Sequence, residues 1–411
     1  MNRPRPDLTL QFFGAVQFVG LCGDRLKQFS LVGMLGLLAP GSSVEMLKLT
    51  LFSQVPMLLF TPVAGSLIDR WNKPAAILGA CLARALLLLA VPAAYDRAGS
   101  IYAFFAAAFV LSIFDLIFAP ARSALLPEVV PAERLLSTNA VFWTLGIAGT
   151  MVGFVGGGWV FDFFSWRTSF YTNSIVYVMA AALMVPVLIR HHPPARSGPA
   201  VRVPLRTEIA FFSRSVRDAV ELLRQSRELR SSLTVQAGVF AVGGVLSVIA
   251  ISHVQEISTA GSALFLAEIG AALILGLVAG AFLAGWYRGR SLPERTVSVG
   301  TLTCGVAIAG MGRAETLVPM CIWAGLLGAS LSPVFIVTET LMQHQSPRQF
   351  TGRIFAAREA FIKAAYIAAA VVATGVNALV SKSAILVGLG LFLALLGVIL
   401  ERTKWLRMEK R

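Results

Sequence analysis

The sequence predicts an all-α integral membrane protein with twelve transmembrane helices in two pseudo-symmetric six-helix bundles. Four observations carry that expectation. Of 411 residues, 56% are hydrophobic and only 14% charged, with a mean hydropathy of +0.75; a soluble chain of this length does not have that balance. The apolar residues form continuous runs long enough, at ~20 residues per span, to cross a bilayer as helices, without the period-two alternation of a barrel strand. The formal charge of +14 is also unevenly placed: of 35 Lys and Arg, 25 fall in one set of loops and the two tails, and only Arg97, Arg167, Arg313 and Lys382 fall in the opposite set. Cations retained on the inner side of a membrane give that asymmetry, so both ends are expected in the cytoplasm, and no basic face is left over for nucleic acid. Finally, the halves echo each other in parallel orientation. Ala119-Pro120 matches Ser332-Pro333 at an offset of 213, Gly65 matches Gly280 at 215, and Pro131 and Pro347 follow in corresponding turns.

Taken in order, the spans are expected at about 10–37, 45–69, 75–96, 101–127, 134–162, 168–190, 231–256, 262–287, 297–312, 316–342, 355–380 and 383–401. An even number returns the chain to its starting side. The first span holds Asp24, Arg25 and Lys27 near its middle and has no small-residue cleavage pattern, which argues against a removed signal peptide. Between spans 2 and 3, Gly65-Ser66-Leu67-Ile68-Asp69-Arg70-Trp71-Asn72-Lys73-Pro74 concentrates charge where the chain turns back into the bilayer. Span 3 carries Arg84, positioned either to snorkel or to pair with another membrane charge. Span 4 carries Asp115 and runs towards Arg122 and Glu128. Span 5 contains Gly149, Gly153, Gly156, Gly157 and Gly158, a flat face for tight packing or bending.

The chain divides into an N-terminal bundle (1–190), a cytoplasmic linker (191–230) and a C-terminal bundle (231–411). The linker opens on His-His-Pro-Pro and then turns amphipathic. Ile209, Phe212, Val216, Ala219 and Leu223 fall on one side and Arg214, Arg217, Asp218 and Arg224 on the other, as for a helix lying among anionic lipid head groups or one solvated between domains. In the second half, His253 near the outer end of span 7 reads as surface polarity. Glu268 lies in span 8, Glu339 in span 10, and Arg358, Glu359 and Lys363 in span 11. The cysteines Cys22, Cys81, Cys304 and Cys321 lie in apolar runs without C-x-x-C spacing, so no metal site or disulfide framework is expected. The sequence has no Walker loop, nucleophile elbow or dinucleotide fingerprint, so neither enzymatic activity nor a cofactor is expected.

A charge at mid-bilayer costs at least ~2.5 kcal/mol if unpaired, which makes such residues the natural pointers to a transport site. The candidates are Asp24, Arg25, Lys27, Asp115, Glu268, Glu339, Arg358 and Lys363. For each, static pairing between helices is the competing role.

The pattern Gly65-x-x-x-Asp69-Arg70-x-x-Lys73 resembles the loop between helices 2 and 3 of the major facilitator superfamily of secondary transporters, with Asn72 at the usual second glycine and Pro74 at a further basic position. Gly149-x-x-x-Gly153-Phe154-x-x-Gly157-Gly158 resembles the helix 5 motif of superfamily antiporters, with Phe154 in place of the proline. Gly23-Asp24, Phe60-Thr61-Pro62, the run from Phe118 to Leu135 with Asn139, and Gly352-Arg353-Ile354-Phe355 are similar to bacterial enterobactin and macrolide exporters, and to bacterial lysophospholipid transporters. The resemblance implies that helices 1, 4, 7 and 10 line a cavity, which singles out Asp24, Asp115 and Glu339. It also implies that Asp69 faces the start of helix 11 near Gly352 and Arg353, with Arg122 and Glu128 close by, as a latch between the halves. Gly65, Asp69, Arg70, Lys73, Arg122, Gly149, Gly153, Gly157 and Gly158 are therefore the expected gating residues.

The function expected is proton-coupled efflux of a hydrophobic or amphipathic small molecule by a monomer in a bacterial inner membrane, in contact with membrane lipids. A lysophospholipid flippase and a transporter-like receptor or scaffold without turnover are the alternatives.

Overall fold

A computed structural model describes residues 8–131, 134–191, 227–258, 263–286, 293–345 and 351–403; within its helices the side chains of 61–70, 119, 136, 227–229, 286, 293–294, 343–345, 351–357 and 403 lie outside the description. These residues form twelve long helices. They are α1 (Leu8–Leu38), α2 (Ser43–Arg70), α3 (Lys73–Ala98), α4 (Tyr102–Val129), α5 (Leu135–Phe163) and α6 (Trp166–Arg190). After the linker come α7 (Arg227–Val245, continued through a π-helical turn at Leu246–Ala250 into Ile251–Ile257), α8 (Ala263–Trp286), α9 (Pro293–Arg313), α10 (Leu317–Gln345), α11 (Thr351–Asn377) and α12 (Lys382–Thr403). The linker's amphipathic stretch falls outside the described residues.

Ten of the twelve are long and apolar enough to cross a membrane. The two others are α1, which has Asp24, Arg25 and Lys27 at its centre, and α9, which is diluted by threonine, serine and glycine. Large apolar side chains that a soluble protein would bury stand exposed, among them Trp143, Ile189, Phe282 and Leu391, as a lipid-facing surface requires.

Local sequence signals place the turns. Asn72 caps α3, its side-chain oxygen accepting from the Ala75 amide at 3.1 Å, and Pro74 follows inside the first turn, where a missing N–H costs nothing. The left-handed Gly99 (φ +60°) ends α3 by donating to the Tyr95 carbonyl. Ser165 caps α6 through the Thr168 amide. Around these turns Tyr95, Phe104, Trp166 and Phe170 interlock edge to face and tilted, a grouping of aromatics typical of the level where a helix leaves the hydrocarbon.

Two compact units result. One comprises the helices up to Leu38 and from Leu51 through α6; the other comprises Ala39–Thr50 and the helices from α7 onward. Helix pairings recur six helices later: α1 on α5 and α7 on α11, α3 on α4 and α9 on α10, α3 on α6 and α9 on α12. This is the parallel repeat expected from the offsets of proline and glycine, and Pro120 and Pro333 do sit inside the corresponding helices α4 and α10.

Candidate functional site

The first unit contains a charged cluster built from four helices. Lys27 on α1 places its ammonium 2.7 Å and 2.8 Å from the two carboxylate oxygens of Asp115 on α4, and 3.6 Å from Asp24 one turn back. Arg84 on α3, with a side chain 0% exposed, reaches Asp115 at 2.9 Å and Asp24 at 3.5 Å and donates to the Phe114 carbonyl at 3.0 Å. Its guanidinium lies over the rings of Phe118 and Tyr177. Tyr177 on α6 donates its hydroxyl to Asp24 at 2.6 Å. Arg84 therefore pairs and does not snorkel.

α6 supplies a polar face that charge alone did not reveal. Asn173, with its amide oriented so that donor meets acceptor, bridges the Gly23 carbonyl (3.1 Å) and the Lys27 amide (2.6 Å). Ser169 shares a hydrogen bond with Ser30 and Ser174 donates to the Ala85 carbonyl. Ser169, Asn173, Ser174 and Tyr177 fall at i, i+4, i+5 and i+8 of an apolar helix, a periodic signal that was available in the sequence. Gly23 makes room for Tyr177, since a Cβ there would lie 3.2 Å from its ring.

The cations Lys27 and Arg84 sit deeper than the carboxylates they hold. Asp24 and Asp115 keep 25% and 27% side-chain exposure. The cluster thus holds two partly exposed carboxylates against two more deeply buried positive charges that fix their geometry. Such an arrangement can exchange a proton or a cation at the carboxylate, because protonating it frees Lys27 or Arg84 from its partner.

The second unit has its own cluster. Arg358 on α11 contacts Glu339 on α10 at 2.6 Å and Glu359 at 3.1 Å, and its Nε donates to Gln236 of α7 at 2.5 Å; Gln236 in turn donates to Glu339 at 3.3 Å. Gln236 is fully buried and was not among the sequence candidates, because a neutral amide in an apolar run carries no charge signal. Lys363 is half-buried a turn beyond Glu359, and Glu268 is half-buried on α8, outside both clusters.

Other expectations need adjustment. Arg122 lies inside α4, half-buried. His253 is buried, with Nε2 unsatisfied among the described residues, not a surface group. Lys73 pairs within its own unit, at 2.6 Å from Glu128, which also meets His191 at 3.3 Å. α2 runs through Gly65, Asp69 and Arg70, but their side chains and those of Gly352 and Arg353 lie outside the description. The span 5 glycines face α1: a Cβ on Gly149 or Gly153 would strike the carbonyl of Phe18 or Cys22, and one on Gly157 would meet Phe29 at 3.1 Å, whereas Gly156 faces open space. Gly158 is buried.

A cavity of about 660 Å³ lies elsewhere, among α9, α10 and α12, lined by Gly310, Arg313, Glu315, Trp323 and Leu391, and it shares no residue with either cluster.

Residues 28–312 match the family model of the Major Facilitator Superfamily. The chain is 27% identical over 390 residues to an uncharacterized MFS-type transporter of Mycobacterium tuberculosis, Rv0037c, covering 87% of this chain and 82% of that one. It is 22% identical over 305 residues to the multidrug resistance protein MdtG of Salmonella arizonae, covering 73% and 70%. Among solved structures, the nucleoside transporter NupG superposes with a TM-score of 0.71 at 10% identity, covering 98% of this chain and all of that one. The POT family transporter PepTSo superposes at 0.69 and 12%, covering 99% and all. With the family model spanning more than half of the sequence and the same fold in these transporters, the chain belongs to the Major Facilitator Superfamily of membrane transporters.

Proposed function

We propose that the protein is a proton-coupled exporter of a hydrophobic or amphipathic small molecule. It works by alternating access between halves 1–190 and 231–411, in a bacterial inner membrane with both termini cytoplasmic. The observation that carries this reading is the partly exposed pair Asp24 and Asp115 held by the more deeply buried Lys27 and Arg84. Carboxylates held in a bilayer chiefly by cations are poised between two states. Ionised, they bind the cations and close the cluster; protonated, they release them and let α1, α3 and α4 shift. The likeness to MdtG, named for multidrug resistance, supports the efflux direction. The Asp69 turn, with partners at the start of α11, fits a latch that resets between cycles.

Everted vesicles containing the protein, energised to a proton gradient, should accumulate a hydrophobic fluorescent dye, and a protonophore should abolish accumulation. Asp24→Asn and Asp115→Asn should each remove the gradient dependence while the protein still inserts. Gradient-independent movement of labelled lysolipid would favour a flippase instead, and normal accumulation by both variants would remove the carboxylates from the coupling.

A further inference from the structure

Among the described side chains at the level of this cluster, the membrane charges of the first unit do not balance. Asp24 and Asp115 are the carboxylates at the level of the cluster, and Lys27 and Arg84 already answer them one for one. Arg25, beside Asp24 at the middle of α1, makes no ion pair among the described residues. Its guanidinium donates to the exposed amide of Gln28 at 2.9 Å and stands 5.4 Å from the Phe154 ring, while its Nε is buried with no acceptor. Gly153 allows this placement, because any side chain there would collide with the Arg25 Cβ and the Cys22 carbonyl. Arg122 on α4 is half-buried without an ion pair among the described residues, and both arginines lie within electrostatic reach of Asp24. An aromatic face and an amide attract a cation without neutralising it, and an arginine cannot discard its charge. Two surplus guanidinium groups in apolar helices are costly unless an anion joins them.

We propose that Arg25, with Arg122 as the second surplus cation, selects a substrate with an anionic head, a phosphate or carboxylate, joined to an apolar body. The planar fork of Arg25, with Nε still lacking an acceptor, matches two oxygens of such a head. The apolar body then lies along Phe154, whose ring packs edge to face on the buried Phe29 at 5.2 Å. This inference deepens the exporter reading and rests on it for the transport step, although binding tests it separately.

The protein in nanodiscs is titrated with three amphiphiles of one chain length below their micellar concentrations: dodecyl phosphate, dodecylphosphocholine and dodecyltrimethylammonium. Inorganic phosphate is titrated alone as a fourth probe. Dodecyl phosphate should bind tightest. Arg25→Gln should weaken it by about tenfold, the loss expected for a charge-assisted pair, and leave dodecylphosphocholine within about twofold. Arg122→Gln should weaken dodecyl phosphate by a smaller factor. Arg25→Lys, which keeps the charge and guards against a folding defect in the glutamine variant, should recover part of the affinity. Equal or tighter binding of the cationic amphiphile, or an anion preference unchanged in both arginine variants, would overturn the proposal. Inorganic phosphate binding as tightly as dodecyl phosphate would overturn the amphipathic part by assigning the site to a free anion. Proton-driven efflux of a dye together with no preference for the anionic amphiphile in binding would defeat this inference and leave the exporter standing. Anion-selective binding without proton-driven flux would do the reverse.

Discussion

Lys27 of α1 and Asp115 of α4, 88 residues apart in sequence, meet at 2.7 Å inside an otherwise apolar bundle. Neither residue is stable there alone. The pair, together with Arg84 and Asp24, turns four isolated charges into one network, and that coupling makes the contribution of each residue measurable.

Removing Lys27 leaves Asp24 and Asp115 with Arg84 as their one ion-pair partner among the described residues, an excess of negative charge within the bundle. Lys27→Met should therefore lower stability by about 3 kcal/mol, while Lys27→Met combined with Asp115→Asn should recover much of the loss. Thermal unfolding of the purified variants in detergent checks this. Additive losses would show that the two side chains act independently.

Tyr177→Phe deletes the only hydroxyl that the structure brings to Asp24 among the described residues. A hydrogen bond to a charged group contributes about 1.5–3 kcal/mol, so this variant should melt lower than wild type. The Asp24→Asn background should reduce the difference, because a neutral amide accepts a weaker bond. A double-mutant cycle on melting temperature reads the coupling, which should be clearly non-zero.

Gly153→Ala should cut the yield of folded protein sharply, because its Cβ has to displace the Cys22 backbone of α1 and overpacking costs about 1–3 kcal/mol. Gly156→Ala, three residues on, enters open space and should be neutral or mildly stabilising. Monodisperse peaks on size-exclusion chromatography separate the two outcomes. Equal behaviour would mean that close packing of α5 on α1 is not what these glycines secure.

Asn72→Ala should cost about 1 kcal/mol by removing the cap of α3, and Asn72→Gly only a few tenths. That near-equivalence explains why asparagine can occupy a position where the resembling loop has glycine. Denaturant titration of the two variants should rank alanine as the more destabilising.

The fold was legible in the sequence because a bilayer enforces it. Every backbone amide in hydrocarbon must be bonded within its own segment, so a long apolar run becomes a helix whatever its neighbours do. Counting such runs found all twelve helices, including α1, whose central charges lower its hydropathy. The candidate site was legible in part. Asp24, Lys27, Asp115, Glu339 and Arg358 were visible because charge in an apolar span is conspicuous. Gln236 was not, because a buried amide is costly only until a partner from another helix satisfies it, and Asn173 was marked only by its spacing with Ser169, Ser174 and Tyr177 on α6.

By itself, then, the sequence determined where the helices lie, that the chain turns between spans 2 and 3 around Asn72, and that charges occupy the middle of α1 and α4. These follow from local chemistry: backbone satisfaction, capping and the cost of charge in lipid. Only the tertiary structure decided which charges meet. Arg84 bridges both aspartates, Lys73 turns to Glu128, and Arg25 alone of the α1 triad is left without a carboxylate among the described residues. Pairing depends on how helices rotate about their axes when packed. That rotation is set by the close approach of glycines such as Gly149 and Gly153 to α1, a contact between residues more than a hundred positions apart.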